Sequence, residues 1–112
     1  MARRDVGAVT VKLVQLHPEA QAELKEAVSF YRSRGGETLA RKFKSRVKEV
    51  FTNIASNPNR YPGIPEIQEV QKCRLSQFPY SILYLNQPDC IWIIAVAHGS
   101  RCPGYWMERV SL

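Results

Sequence analysis

Three short apolar segments, crowded into the last third of the chain and separated by turn residues, constrain its fold more than any other feature. They cover residues 66–75 (EIQEVQKCRL), 78–85 (FPYSILYL) and 90–99 (CIWIIAVAHG). Parallel strands need a crossover of a dozen or more residues, and the connections here are much shorter. The three segments therefore predict a small antiparallel sheet, with a turn at 86–89 between its last two strands.

The first half of the chain predicts one strand and two helices. Residues 9–16 alternate in part and are expected to form a strand that is covered on both faces. Residues 18–34 and 37–56 carry apolar side chains at helical spacing. Only Gly35 and Gly36 lie between them, so an antiparallel helical hairpin is expected. Asn57-Pro58 ends the second helix, because the residue before proline is disfavoured in the helical conformation.

The remaining segments complete the predicted order. Residues 57–65 are rich in proline and asparagine and are expected to form a loop, and residues 101–112 form a tail with room for one helical turn. The order strand, helix, helix, strand, strand, strand predicts an α+β fold (β-α-α-β-β-β). In that fold the helical hairpin packs on a small, mostly antiparallel twisted sheet. With no repeat or linker, residues 1–112 are expected to form a single domain.

Charge and cysteine content limit which kinds of partner and cofactor are expected. Sixteen basic and ten acidic residues give a net charge of +6, which favours an acidic partner. The apolar run at 91–97 is far shorter than the roughly 20 residues that cross a bilayer, so no membrane contact is expected. No secretory signal follows the basic N-terminus, which predicts a cytoplasmic location. Three cysteines without a C-x-x-C pair predict neither a metal site nor a cofactor.

Three basic residues mark the predicted sheet as a recognition surface. Lys72 and Arg74 are two residues apart on one strand, so their side chains share a face, and Arg101 follows the last strand. Cations on one face are typical of a surface that meets phosphates or an acidic protein. The alternative for the strand pair is solvated charge that discourages edge pairing. The alternative for Arg101 is an ion pair with Glu108 or hydrogen bonds to strand-end carbonyls.

His98 ends the last predicted strand. Strict alternation places it on the same face as Trp92, Ile94 and Val96. One interpretation is proton transfer near neutral pH, which suits imidazole. The favoured interpretation is structural, with the ring fixing the turn before Gly99 through hydrogen bonds.

Two further features are candidates for recognition. Tyr105 and Trp106 lie outside the sheet, where aromatic side chains either anchor an interface or cap the open end of the core, and both interpretations stay open. The outer side of the second helix could attract an acidic partner, or be the ordinary polar face of a soluble helix. Its cations are Arg41, Lys42, Lys44, Arg46 and Lys48.

Four stretches of the chain together resemble the RelE/ParE superfamily of toxins from type II toxin–antitoxin systems. They are HPEAQAELKEAVSFY at 17–31, NPNRYP at 57–62, VQKCRLSQFPYSILY at 70–84 and IIAVAHGSRCPGYW at 93–106. Within the superfamily they look most similar to the ParE-like, or plasmid stabilisation, branch. The resemblance implies a growth-inhibiting toxin that a cognate antitoxin neutralises, with DNA contact made mainly through the antitoxin.

The two branches of the superfamily imply different targets. A ParE-like member inhibits DNA gyrase without breaking bonds itself, and this is the expectation here. A RelE-like member is a ribosome-dependent endonuclease that cuts mRNA in the ribosomal A site. A third hypothesis is a non-toxic module that only binds its antitoxin. Whether the chain is an enzyme stays open.

The resemblance also implies roles for individual residues. In the RelE-like branch the cations that hold the scissile phosphate are matched by Lys72, Arg74 and Arg101, with His98 as the acid or base. Ser81 stands where that branch usually carries an arginine, and Met107 stands where it carries a C-terminal tyrosine. For a gyrase inhibitor, the residues expected to bind the target or partner are Arg101, Tyr105, Trp106, Lys72 and Arg74.

Overall fold

The computed structural model describes residues 12–110, which form one helical region and four strands. Their bounds are β1 (Leu13–Leu16), α1 (Pro18–Ser56), β2 (Val70–Arg74), β3 (Tyr80–Asn86) and β4 (Cys90–His98). Single 3₁₀ turns cover Pro58–Arg60 and Met107–Val110. No helix in this part of the chain is long and apolar enough to span a membrane.

The helical region α1 folds back on itself at two glycines. Gly35 and Gly36 leave the helical conformation, and Gly36 adopts φ +72° and ψ −168°, which side chains other than glycine's rarely allow. Residues 18–34 form the first arm and residues 37–56 the second arm. The rings of Tyr31 and Phe43 lie 4.9 Å apart, whereas twelve residues of straight helix span roughly 18 Å. The predicted helical hairpin is confirmed.

The four strands form one sheet in the order β1-β4-β3-β2. Strand β1 pairs in parallel with β4, and the other two pairs are antiparallel. The structure therefore confirms the α+β fold with a mostly antiparallel sheet. The expectation that β1 is covered on both faces is wrong, because β1 is an edge strand and 61% of Leu13 is exposed. The predicted residues 9–11 of this strand lie outside the described residues.

Strand β2 is shorter than predicted. It begins at Val70 rather than at residue 66, because the preceding loop doubles back along its outer edge. The Ile64 N–H donates to the Val70 carbonyl, and the Lys72 N–H donates to the Pro62 carbonyl. Residues 65–69 must therefore turn, and the loop covers part of the sheet edge.

The core has two layers, one on each face of the sheet. The helix-side layer contains Ala20, Ala27, Phe43, Val47, Val50, Ile54, Cys73, Leu75, Phe78, Ile82, Tyr84, Ile91, Ile93 and Val96. The opposite layer contains Ile64, Val70, Leu83, Leu85, Ile94, Ala95 and Trp106. The loop before β2 and the segment after β4 thus supply the cover for the second face.

A β-bulge in β4 changes the predicted face of His98. Leu83 pairs with Ala95 and Tyr84 pairs with Ile93, so Ile94 is an extra residue and alternation shifts by one after it. Val96 consequently packs on the helix side while Trp92 stays on the opposite face. His98 pairs with Tyr80, whose side chain belongs to the helix-side layer. The expectation that His98 shares a face with Trp92 and Ile94 is wrong.

Candidate functional site

A groove of about 600 Å³ lies on the sheet face opposite the helices. Its walls come from the loop before β2, the ends of β2, β3 and β4, and the segment after β4. Six residues singled out from the sequence line it, although the ring of His98 packs against Tyr80 on the helix side and borders the groove only at the end of β4: Lys72, Arg74, His98, Arg101, Tyr105 and Trp106. We call this feature the basic groove. The fold brings together residues that are separated by more than thirty positions in the sequence.

The sheet contributes the cations on one side of the basic groove. Lys72 and Arg74 are exposed and project from the same face of β2, as their spacing predicts. Ser81 pairs directly with Arg74 across the β2–β3 ladder and also lines the groove. Within residues 12–110, neither cation forms a salt bridge. Their charges are therefore available to a ligand.

Arg101 lies on the opposite side of the basic groove. Its guanidinium carbon is 3.9 Å from the centre of the Tyr105 ring, the geometry of a cation–π contact. Its backbone N–H donates to the His98 carbonyl at 3.0 Å and so continues the turn after β4. Among the described residues no salt bridge joins Arg101 to Glu108, and the guanidinium instead lies over the ring of Tyr105.

The imidazole of His98 fixes the turn at the end of β4. Its Nδ1 accepts the Ser100 N–H at 3.0 Å, and the Ser100 hydroxyl lies 2.8 Å from the same nitrogen. The ring packs edge-on against Tyr80 with centroids 5.0 Å apart. The Gly99 N–H donates to the Pro79 carbonyl and holds the turn against the start of β3. This geometry matches the structural role, with one ring nitrogen engaged by the backbone.

Trp106 and Tyr105 play different parts although they are adjacent. Trp106 is only 6% exposed and belongs to the layer opposite the helices, so it caps the core. Tyr105 is half-buried, carries Arg101 on its ring and donates its hydroxyl to the Glu23 carboxylate at 2.7 Å. The segment after β4 is therefore attached to both the sheet and the first arm.

Sequence reasoning missed Glu23 and Arg109, which form a bidentate ion pair. Arg109 Nη1 and Nη2 donate to the two Glu23 carboxylate oxygens at 2.9 and 3.0 Å. The side chains are 13% exposed for Arg109 and 12% for Glu23. Glu23 occupies a helical position that any surface acid would suit, and Arg109 lies near the C-terminus. No local pattern in the sequence connects them.

The environment of Glu23 keeps its carboxylate ionised. Burial raises its pKa, but hydrogen bonds from Arg109, Tyr105 and the Val96 N–H and the charge of Arg109 outweigh it, so the pKa lies below its ordinary value. Burial and the adjacent carboxylate raise the pKa of Tyr105. The tyrosine hydroxyl therefore stays protonated and acts as a donor at neutral pH.

The described residues offer no metal-binding arrangement. Between residues 12 and 110, no three side chains of histidine, cysteine, aspartate or glutamate gather as a possible metal site. Cys73 and Cys90 are buried, Cys102 is exposed, and all three are free thiols. The site thus consists of cations, aromatic rings and hydrogen-bonded turns, which suits binding of an anionic surface.

Comparison with known proteins places these features in a family. Residues 14–103 match the family described as "ParE toxin of type II toxin-antitoxin system, parDE". A solved structure titled "Chromosomal ParDE TA system from P. aeruginosa" is similar with a TM-score of 0.68 and 20% sequence identity. The similarity covers 79% of this chain and 96% of that chain. No curated protein sequence matches the chain.

Proposed function

Because the chain belongs to the ParE family of toxins from type II toxin–antitoxin systems, we propose that it inhibits DNA gyrase through the basic groove. Inhibition is by protein–protein recognition, and the place of action is the cytoplasm. A cognate antitoxin holds the toxin inactive by covering the surface that gyrase would bind. The net charge of +6 favours an acidic antitoxin segment.

The convergence of Lys72, Arg74 and Arg101 on one groove carries this proposal. The cations come from β2 and from the turn after β4, and among residues 12–110 the only acid lining the groove is Glu66. Such a surface attracts an acidic patch on a partner and orients it during encounter. Trp106 and Tyr105 give the groove a fixed aromatic side, which suits protein recognition.

A ribosome-dependent mRNA endonuclease is the second candidate, because the same three cations could hold a phosphate. Two features of the groove count against cleavage. Ser81 lies opposite Arg74, so this position supplies no charge to stabilise a phosphorane. His98 uses Nδ1 to fix its own turn, which leaves only the other ring nitrogen for proton transfer.

Gyrase supercoiling assays with matched charge variants test the proposal. Lys72→Gln combined with Arg74→Gln removes two charges from the groove. Arg41→Gln combined with Lys48→Gln removes two charges from the exposed face of the second arm and serves as the control. We expect about tenfold weaker inhibition for the groove variant only, which corresponds to about 1.4 kcal/mol of binding free energy.

Expression in growing cells distinguishes gyrase inhibition from mRNA cleavage and from antitoxin binding alone. Expression of the wild-type toxin without antitoxin should arrest growth with altered plasmid supercoiling and intact mRNA. Codon-phased cleavage of mRNA with normal supercoiling would overturn the gyrase proposal in favour of the endonuclease. Unchanged growth would identify a module that only binds its antitoxin. Equal losses in the groove and control variants would show that net charge or the basic face of the second arm contributes as much as the groove, and would overturn the assignment of binding to the groove.

A further inference from the structure

Strand β4 extends beyond its neighbour β1, so part of its edge has no partner strand among residues 12–110. Strand β1 pairs with residues 90–93, and β4 continues to His98. Side chains satisfy two backbone groups of this open edge. The Glu23 carboxylate accepts the Val96 N–H at 3.0 Å, and Arg109 Nη1 donates to the Ile94 carbonyl at 3.0 Å. The ion pair thus takes the place of a strand.

The Glu23 carboxylate is the centre of this arrangement. It accepts four hydrogen bonds: one from the Val96 N–H, one from the Tyr105 hydroxyl and two from the Arg109 guanidinium. The donors lie in β4 and in the segment at 101–110, while Glu23 itself lies in the first arm. One carboxylate therefore joins three parts of the fold, and charge-assisted bonds of this kind are strong and directional.

The contacts continue from Glu23 to the basic groove. The hydroxyl of Tyr105 donates to the Glu23 carboxylate at 2.7 Å, and the guanidinium carbon of Arg101 lies 3.9 Å from the centre of the Tyr105 ring. We propose that Glu23 is a positioning residue, which fixes the segment at 101–110 and thereby holds Arg101 at the groove. The effect on gyrase depends on the proposed function, whereas the effect on the segment does not.

The few contacts that attach the segment at 101–110 to the rest of the fold support this role. Between residues 99 and 110 the chain forms no strand ladder, and the backbone N–H groups of Met107 and Arg109 donate locally to the carbonyls of Gly104 and Trp106. Trp106 is its main apolar anchor. The family match ends at residue 103 and does not include residues 104–110. The ion pair therefore attaches a segment that lies outside the matched region. Tyr105 and Val110 add partly buried contacts to the layer opposite the helices, and the hydroxyl of Tyr105 is directed by its hydrogen bond to Glu23.

Two substitutions separate positioning from general stability. Glu23→Gln keeps the size of the side chain and a carbonyl acceptor but removes the charge that binds Arg109. Glu26→Gln is the control, because Glu26 is exposed on the same arm and has no hydrogen-bond or ion-pair partner in the described chain. Both variants are measured as the full-length protein by amide hydrogen exchange and by gyrase inhibition.

We expect Glu23→Gln to speed exchange of the Met107 and Arg109 amides about tenfold while the β3–β4 ladder keeps its protection. Inhibition should weaken by a similar factor, and Glu26→Gln should change neither. Uniformly faster exchange across the chain would overturn the proposal, because it would show a role in global stability alone. Unchanged inhibition despite a loosened segment would overturn it equally.

The result stays interpretable when the toxin has another target. If the wild-type protein fails to inhibit gyrase, the proposed function is wrong, and growth arrest replaces supercoiling as the activity. Hydrogen exchange still decides whether Glu23 holds the segment. If Glu23→Gln loses protection only in the segment at 101–110 and no longer arrests growth, the positioning role is supported. If it loses that protection but still arrests growth, the positioning role is contradicted.

Discussion

The hydroxyl of Tyr84, a residue with no exposed surface, donates a 2.7 Å hydrogen bond to the backbone carbonyl of Pro58. Gln71 donates to the same carbonyl at 2.7 Å and to the Tyr61 carbonyl at 2.7 Å. These bonds attach the loop after α1 to β2 and β3. The same loop goes on to form a wall of the basic groove at Pro62 and Gly63. Part of the groove is therefore set by a buried tyrosine on the other side of the sheet.

The shared carbonyl of Pro58 gives a test of this attachment. Tyr84→Phe should lower the free energy of unfolding by about 1 kcal/mol, because Gln71 still satisfies the carbonyl. Combining it with Gln71→Ala should cost more than the two single losses together, since the partly buried carbonyl then loses both of its side-chain donors. Urea denaturation of the four proteins of the cycle measures this coupling, and strictly additive losses would contradict it.

Gly36 should be among the least replaceable positions in the helical hairpin. Its φ of +72° and ψ of −168° lie in a region that is essentially restricted to glycine. Gly36→Ala should reduce the free energy of unfolding by about 1–3 kcal/mol even though, apart from the adjacent backbone, no described atom lies within 4 Å of the added carbon. Gly99→Ala is the matched control, because its new carbon meets only an ordinary 3.6 Å contact. Thermal unfolding should separate the two variants.

Acid should release the ion pair between Glu23 and Arg109. The folded-state pKa of Glu23 is lowered, so its stabilisation is complete above the ordinary value of 4.5 and is lost as pH falls through the folded value. Unfolding free energies measured downward from pH 6 should therefore decline less steeply in Glu23→Gln than in the wild type. Glu26→Gln should follow the wild-type curve. Parallel curves for all three proteins would show that Glu23 does not contribute to the pH dependence.

The three cysteines should differ sharply in reactivity. Cys102 is exposed, whereas Cys73 and Cys90 are buried, and burial raises the pKa of Cys73. A chromogenic disulfide reagent should therefore modify one thiol per native chain rapidly and all three after denaturation. Cys102→Ser should remove the fast phase. Rapid modification of a second thiol would contradict the packing of β2 or β4.

The sequence predicted the elements that depend on local pattern. Apolar spacing and Gly35-Gly36 indicated the helical hairpin, and short turns indicated the antiparallel strands. The bulge at Ile94 escaped prediction because one inserted residue leaves a continuous apolar run unchanged in appearance. Since side chains alternate strictly along a strand, that single residue was enough to misplace His98.

The candidate site was predicted as a set of residues rather than as an arrangement. The spacing of Lys72 and Arg74 correctly placed both on one face, and Arg101 meets them across the same groove. The contact of Arg101 with Tyr105 could not be predicted, because the orientation of Tyr105 depends on a hydrogen bond to Glu23, which is 82 residues away in the sequence. Contacts between residues so distant in sequence depend on the tertiary fold and leave no periodic signal.

The parallel pairing of β1 with β4 sets a condition on when the sheet and its basic groove can form during synthesis. Leu13 lies opposite Cys90, so the first strand of the sheet must wait for the last one to be synthesised. Contacts between such distant residues form late, because closing the intervening chain is entropically costly. The walls of the groove also come from the end of the chain. A ribosome-bound nascent chain that ends before β4 therefore lacks both the partner of β1 and a wall of the basic groove, so the groove can form only after β4 and the segment that follows it have been synthesised.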